Sequence, residues 1–241
     1  MDELTKFHRE YRLCPQCANE QEQLIWDIVD VTADPDLKER LLKKDLQRFV
    51  CHNCGEESIL AERMVYLDRE ARLLILYLPE LASGGDLDPE KFLEQAGWLK
   101  LAQELGALDQ NRRAAAGWSL RLVYSYSDLI EKIVLFDQKL DDRLMELLKL
   151  ALSTRYKQEE HMDLEELYFL DLDKGALLFQ VLVAERGWQV LELPESFYSN
   201  ASSKLELPLL SAAWPCVDQS WARSYVEAAT AAGTASRDQE V

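Results

Sequence analysis

No apolar run in the 241-residue chain approaches the roughly 20 residues that a membrane-spanning helix needs. The longest, Leu73 to Leu78, has the length of a strand. The opening Met1-Asp2-Glu3-Leu4 is acidic where a secretory signal is basic and then apolar. These lacks predict a soluble cytoplasmic protein. Positive charge is also scarce: 27 Lys and Arg face 44 Asp and Glu, a formal net charge of −17. The deficit is spread along the chain, with 11 basic and 16 acidic side chains before Pro79, and no basic run exceeds two residues. Nucleic-acid binding relies on a basic surface that releases counterions from phosphate, and a field of this sign repels phosphate at long range. A nucleic-acid-binding role is therefore the least favoured reading. Missing too are a Gly-rich phosphate loop, a Gly-x-Ser-x-Gly elbow and a His-Glu-x-x-His helix. The three histidines, His8, His52 and His161, share no motif. The sequence names no catalytic residue, no organic cofactor and no reaction.

What it does contain is four cysteines in two pairs, Cys14-Pro15-Gln16-Cys17 and Cys51-His52-Asn53-Cys54-Gly55. A Cys-x-x-Cys turn aims two sulfurs at one point, and a second such turn completes a tetrahedron. Thiolates in that geometry suit Zn²⁺, which imposes no geometry of its own through its d-electrons. Two disulfides would instead require an oxidising compartment. A redox dithiol needs only one pair, normally at a helix start in a βαβ setting. The reading is one structural zinc per chain on Cys14, Cys17, Cys51 and Cys54. His52 reads as an exposed neighbour, since structural sites close at four ligands.

Thirty-three residues separate Cys17 from Cys51, more than a simple ribbon of roughly 15–20 holds. Leu24 to Thr32, β-branched and aromatic, reads as a strand. Asp34-Pro35 then opens a helix to about Lys44, with Leu37, Leu41 and Leu42 on one face. After the second turn, Ser58 to Leu67 and Leu73 to Leu78 read as paired strands about Asp68-Arg69-Glu70-Ala71. The expectation is a zinc ribbon with an inserted strand and helix over residues 1–82.

Cys14-Pro15-Gln16-Cys17, Asp34-Pro35-Asp36-Leu37-Lys38, Cys51-His52-Asn53-Cys54-Gly55 and Tyr66-Leu67-Asp68 together resemble the CpXC domain family. That family is named for two Cys-Pro-x-Cys motifs, occurs in bacteria and archaea, is taken to bind zinc and has no assigned activity. The resemblance covers the first third of the chain and extends to about residue 120. Leu129 to Ile133 and Leu140 to Arg143 are similar to the segment that follows the zinc domain in longer members. His52 stands where the family name expects proline, which loosens that turn while leaving both sulfurs in place.

Ser83-Gly84-Gly85-Asp86 reads as a linker, followed by a helical connector over 83–117 that opens at Asp88-Pro89 and runs to about Leu105. Phe92, Ala96 and Leu99 form one apolar face of it, and Trp98, Leu101, Leu105 and Leu108 another, as though it packs between domains or against a partner. Residues 118–226 read as an α+β domain. Its expected parts are an entry strand from Ser119 to Tyr126, a helix capped by Ser127 or Asp128, and a helix opening at the dipole-compensating pair Asp141-Asp142. A hairpin follows about Asp173-Lys174-Gly175, with a third strand from Trp188 to Leu193, giving a small antiparallel meander covered by helices. A C-terminal helix from Asp218 to Ala231 precedes a Gly/Ala/Ser/Thr tail, and residues 227–241 are assigned to a disordered tail. Glu131 and Lys132 are helix neighbours that do not face each other. Glu159-Glu160-His161-Met162-Asp163 reads as an acidic loop. The fifth cysteine, Cys216, reads as a structural thiol in apolar surroundings.

Taken together, the sequence favours a zinc-stabilised, non-catalytic module for protein interaction or scaffolding, through an unknown protein partner or self-association. The alternatives are an enzyme with a site between two domains and, last, a nucleic-acid-binding ribbon.

Overall fold

The computed structural model describes residues 4–82, 94, 97–109, 114–205, 207, 210 and 215–237. Two compact units are distinguished: Met1–Ile130 with Ser211–Pro215, and Glu131–Leu210 with Cys216–Val241. Both mix helices and strands, and the described residues form three sheets.

The first unit is built on a five-stranded sheet of β1 (Lys6–Leu13), β2 (Glu20–Asp30), β5 (Met64–Asp68), β6 (Leu73–Tyr77) and β7 (Ser119–Val123), in the order β1-β2-β5-β6-β7. β5 and β6 are Met-Val-Tyr-Leu-Asp and Leu-Leu-Ile-Leu-Tyr, almost wholly buried, as an apolar strand covered on both faces requires. By the two-residue period, Val65, Leu67, Leu74 and Leu76 share one face, where they meet Leu120, Leu122, Trp98, Leu99 and Ala102. Each such aliphatic side chain contributes about 1.5–3 kcal/mol by leaving water. Helix α1 (Asp36–Leu42) buries Leu37 and Leu41, and the Tyr126 hydroxyl donates to the Leu41 carbonyl at 3.3 Å. The remaining strands, β3 (Arg48–Val50) and β4 (Glu57–Ile59), pair antiparallel as a separate hairpin.

Several sequence expectations are corrected here. Ser58 to Leu67 is two strands in two sheets, because β4 pairs with β3 while β5 pairs with β6. β1 was not foreseen: its eight residues are almost all exposed, so they show no buried alternation. The strand beginning at Ser119 pairs in parallel with β6, from Leu73↔Ser119 to Tyr77↔Val123, and belongs to the first unit's sheet. Asp34 makes no side-chain cap on α1, which begins after Pro35. Helix α2 (Trp98–Glu104) buries Trp98 and Leu99, drawn from both expected apolar faces, in the first unit's own core. The Ser83–Asp86 linker, the Asp88-Pro89 helix start, Phe92, Ala96 and Asn111–Arg113 lie outside the described residues.

Helix α3 (Tyr126–Asp137) starts in the first unit and continues into the second. Its cap is Ser125, not Ser127 or Asp128: Ser125 Oγ accepts from the Asp128 N–H at 3.0 Å and donates to Asp128 Oδ2 at 2.6 Å. Helix α4 (Asp142–Glu159) is capped by Asp141, whose carboxylate accepts from the Arg143 N–H at 2.9 Å. The second unit's sheet is an antiparallel meander of β8 (Leu164–Asp173), β9 (Ala176–Val183) and β10 (Gly187–Pro194). The β8–β9 turn holds Lys174 and Gly175 at φ of 48° and 79°, the positive values of a tight hairpin turn and the reason glycine stands there. β9 alternates cleanly, burying Leu177, Phe179, Val181 and Val183 in a cluster with Leu135, Met145, Leu152 and Phe169. The short α5 (Ser196–Ser202) follows β10, and α6 (Gln219–Arg237) packs on α4. α6 runs past Ala231 to Arg237, through much of the 227–241 stretch read as disordered, and its Ala-rich composition favours helix.

An alternating chain of five buried charges ties α3 to α4. Lys149 Nζ donates to Glu131 at 2.9 and 3.0 Å and to Glu146 at 3.1 Å. Lys132 Nζ reaches Glu146 at 3.1 Å and Asp142 at 3.3 Å. Gln219 Nε2 donates to Glu146 Oε2 at 3.0 Å, and Glu131 accepts the Phe169 N–H at 2.6 Å. All five charged side chains are at most 4% exposed. Burial pushes the Glu131 carboxyl above its ordinary range. Burial also pushes Glu146 upward, but Lys132 and Lys149 reverse this and hold it below.

Candidate metal centre

Two hairpins carry the cysteines, and each is closed by the same local geometry. β1 and β2 flank Cys14–Cys17, where the Ala18 N–H donates to the Cys14 carbonyl and the Cys14 N–H to the Asn19 carbonyl, both at 2.9 Å. β3 and β4 flank Cys51–Cys54, where Gly55 N–H to Cys51 O is 2.9 Å and Cys51 N–H to Glu56 O is 2.8 Å. In each turn the residue after the second cysteine is left-handed, Ala18 at φ 56° and Gly55 at 76°. The repeated fold-back frees two sulfurs on the same side of each turn. His52 in place of proline leaves this geometry unchanged.

The four sulfurs lie within 4.8 Å of one another, with Cys14–Cys54 and Cys17–Cys51 both at 3.6 Å. A disulfide would bring sulfurs to about 2.05 Å, so these are four free thiols. A tetrahedron with metal–sulfur bonds of about 2.3 Å has edges of about 3.8 Å. The two 3.6 Å separations are close to that figure, and the cluster is able to hold a metal ion. Cys14 and Cys51 are buried against Phe49, Cys17 is half-buried and Cys54 is exposed.

Polar neighbours bias the thiols. The Asn53 side chain donates to Cys17 Sγ at 3.5 Å, and with the Asn19 backbone it lowers that thiol to about 6. Cys54 accepts from the Glu56 backbone, which lowers it, but desolvation and the adjoining sulfurs prevail and raise it to about 12. One thiolate is thus favoured in the cluster while its neighbour resists ionising beside it. A cation there removes that repulsion, as it does wherever thiols become ligands.

Gln21 braces the site and was not singled out from the sequence. It is buried on β2, accepts the His52 N–H at 2.9 Å and donates to the Val50 carbonyl at 2.9 Å. It therefore clamps the second Cys turn to the first hairpin. Its position four residues after Cys17 is the only sequence signal. The structure brings all four sequence-selected cysteines together. His52 is exposed and outside the group, His8 pairs with Asp27 at 2.8 Å, and His161 is exposed. Cys216 lies in the other unit, half-buried, with its thiol 3.5 Å from Asp218 Oδ2.

No curated protein and no solved structure matches the chain. A family model described as CpXC protein matches residues 13–149, which runs from the residue before the first cysteine to the last member of the buried charge network. The match covers more than half of the sequence and extends past residue 120, beyond the reach of the sequence resemblance. With the paired Cys-x-x-Cys turns converged on one point, this chain belongs to the CpXC family.

Proposed function

We propose that Cys14, Cys17, Cys51 and Cys54 hold one structural zinc per chain, and that the protein is a non-catalytic module for protein interaction or scaffolding. The carrying observation is the pair of 3.6 Å sulfur separations between matched turns, the edge length of a tetrathiolate zinc site. The two hairpins are read as the two knuckles of a zinc ribbon, with the β2–α1 segment as its insertion. Four protein ligands leave no open position for a reacting water, which favours a structural over a catalytic metal. The core around the sulfurs is small, Phe49 with partial cover from Leu60, so the ion supplies stability that apolar burial there does not. A reducing cytoplasm suits four thiol ligands, and no helix among the described residues is long and apolar enough to cross a membrane.

The exposed strand beside the knuckle supports placing nucleic acid last. β1 carries Arg9, Arg12 and His8, but Arg9 pairs with Glu22 at 2.6 Å, Arg12 with Glu10 at 2.8 Å and with Glu62 at 2.5 Å, and His8 with Asp27. Both guanidinium groups are engaged by carboxylates within the fold rather than presented to phosphate. Metal analysis together with oligonucleotide gel shifts tests the reading. It expects zinc near one per chain and no salt-sensitive shift, and tight salt-sensitive binding overturns it.

A further inference from the structure

Sheet edges expose unpaired backbone N–H and C=O groups, and proteins blunt them with charge, bulges, shortness or a covering segment. Each described edge of this chain but one carries such a device. β1 has five acidic or basic residues in eight: Lys6, His8, Arg9, Glu10 and Arg12. β7 is buried, and its Leu122 N–H already donates to the Pro215 carbonyl at 3.1 Å. β3 and β4 are three residues each. β8 carries Glu165, Glu166, Asp171 and Asp173 and is broken by two register shifts.

β10 is the exception. Gly-Trp-Gln-Val-Leu-Glu-Leu-Pro runs eight residues in unbroken register with β9, carries one charge and has its proline only at the end. Trp188 is 50% exposed and Val190 64% exposed. Trp188 stacks on Tyr168 at 6.5 Å, and its cross-strand partner is Leu182, so an apolar strip on the outward sheet face reaches the open edge at Trp188.

We infer that β10 pairs antiparallel with β10 of a second copy of this chain, joining two three-stranded sheets into one of six strands. Directly opposed antiparallel residues share a face, so a two-fold axis must oppose residues of the same parity. An axis at Val190 sets Val190 against itself, Trp188 against Glu192 and Gln189 against Leu191. No like charges meet in that register, since Trp188 and not a second carboxylate stands opposite Glu192. The chain's net charge of −17 opposes self-association wherever its excess carboxylates meet. β10 has Glu192 as its single charge, so pairing there brings few of them together. This inference names a partner for the scaffolding reading and rests on it.

The test is sedimentation velocity of the full chain as purified, over a concentration series, with amide hydrogen exchange on the same samples. The mass moves from 27.8 kDa toward twice that value with concentration, and more readily at higher salt, which screens the acidic surfaces. Trp188 to Leu193 gain exchange protection in step, while the β1 amides do not. Val190→Lys, which sets two ammonium groups opposite each other, weakens the dimer by at least about tenfold, whereas Val190→Thr retains it. A mass fixed at 27.8 kDa at every concentration overturns the inference, including the case in which a basic strand of another protein is the occupant. A dimer without concentration-dependent protection of β10 overturns it as well, and this needs no variant to fold. A zinc-loaded chain that stays monomeric ends the dimer while leaving the metal centre standing.

Discussion

Lys149→Met removes the only side-chain cation among the described residues within hydrogen-bond reach of Glu131, and its cost can be worked from the network. Lys149 Nζ holds both Glu131 oxygens, at 2.9 and 3.0 Å, in surroundings closed to water. Glu146 keeps Lys132 and Gln219 after the change, whereas Glu131 keeps the Phe169 N–H. A buried carboxylate stripped of its cation costs about 3–5 kcal/mol. Protonation limits that cost: neutralising a carboxyl of ordinary pKa near 4.3 at pH 7 takes about 3.7 kcal/mol at 1.36 kcal/mol per unit. Burial already holds Glu131 above its ordinary range in the parent, so the loss caused by the substitution lies below that ceiling, at about 2–3 kcal/mol at pH 7, or on the order of 10 °C in melting temperature for a chain of this size. The sign of the pH dependence follows. With its partner gone, Glu131 has a folded-state pKa far above the unfolded value, so the variant loses stability as pH rises from about 4.3, by about 1.4 kcal/mol per unit. Urea unfolding followed by tryptophan fluorescence, from pH 5 to pH 8, reads both effects. Glu131→Gln in the Lys149→Met background should recover most of the loss, since a neutral amide can still accept the Phe169 N–H. A Lys149→Met penalty below about 1 kcal/mol, or one independent of pH, would refute the network as described.

Three further outcomes are expected. Gln21→Ala deletes the brace between β2 and the second Cys turn and should weaken metal retention 10- to 100-fold, as loss of supporting hydrogen bonds at metal sites does; competition with a zinc chelator measures it, and unchanged retention contradicts the role. Strong chelation should release the β3–β4 hairpin and the tip of β1–β2 while amides of β5, β6 and β9 stay protected, since those strands have apolar cores of their own. Stability should fall as pH rises past about 10. Burial lowers Lys132 and Lys149, but their carboxylate partners prevail and raise both, so their contribution is complete below the unfolded lysine value and lost through the folded one; desolvation lifts Tyr77 to about 12, which acts in the same direction. A urea midpoint flat to pH 11 would contradict this.

What the sequence disclosed was local chemistry. Cys14, Cys17, Cys51 and Cys54 were legible because a Cys-x-x-Cys turn declares its geometry within four residues. α1, β6 and the Lys174-Gly175 hairpin were legible because period or turn chemistry sets them. β1 was hidden because Lys-Phe-His-Arg-Glu-Tyr-Arg-Leu buries neither face, so no alternation marks it. The β6–β7 pairing was hidden because parallel register joins Leu73 to Ser119 across 46 positions and leaves no local pattern. The charge network shows the same limit. Glu131 and Lys132 do not face each other, as helical spacing requires, yet each meets a partner on α4 10 to 18 residues away. Asp141 is the expected cap, but its neighbour Asp142 is buried in the network, a distinction that spacing alone does not carry.

The most direct measurement of the central claim is elemental analysis of freshly purified chain combined with X-ray absorption at the metal edge. The account predicts about one zinc per chain, with four sulfur neighbours at about 2.3 Å and no nitrogen in the first shell. Well under one zinc per chain, a nitrogen ligand in place of a sulfur, or Cys14, Cys17, Cys51 and Cys54 recovered as disulfides would contradict it.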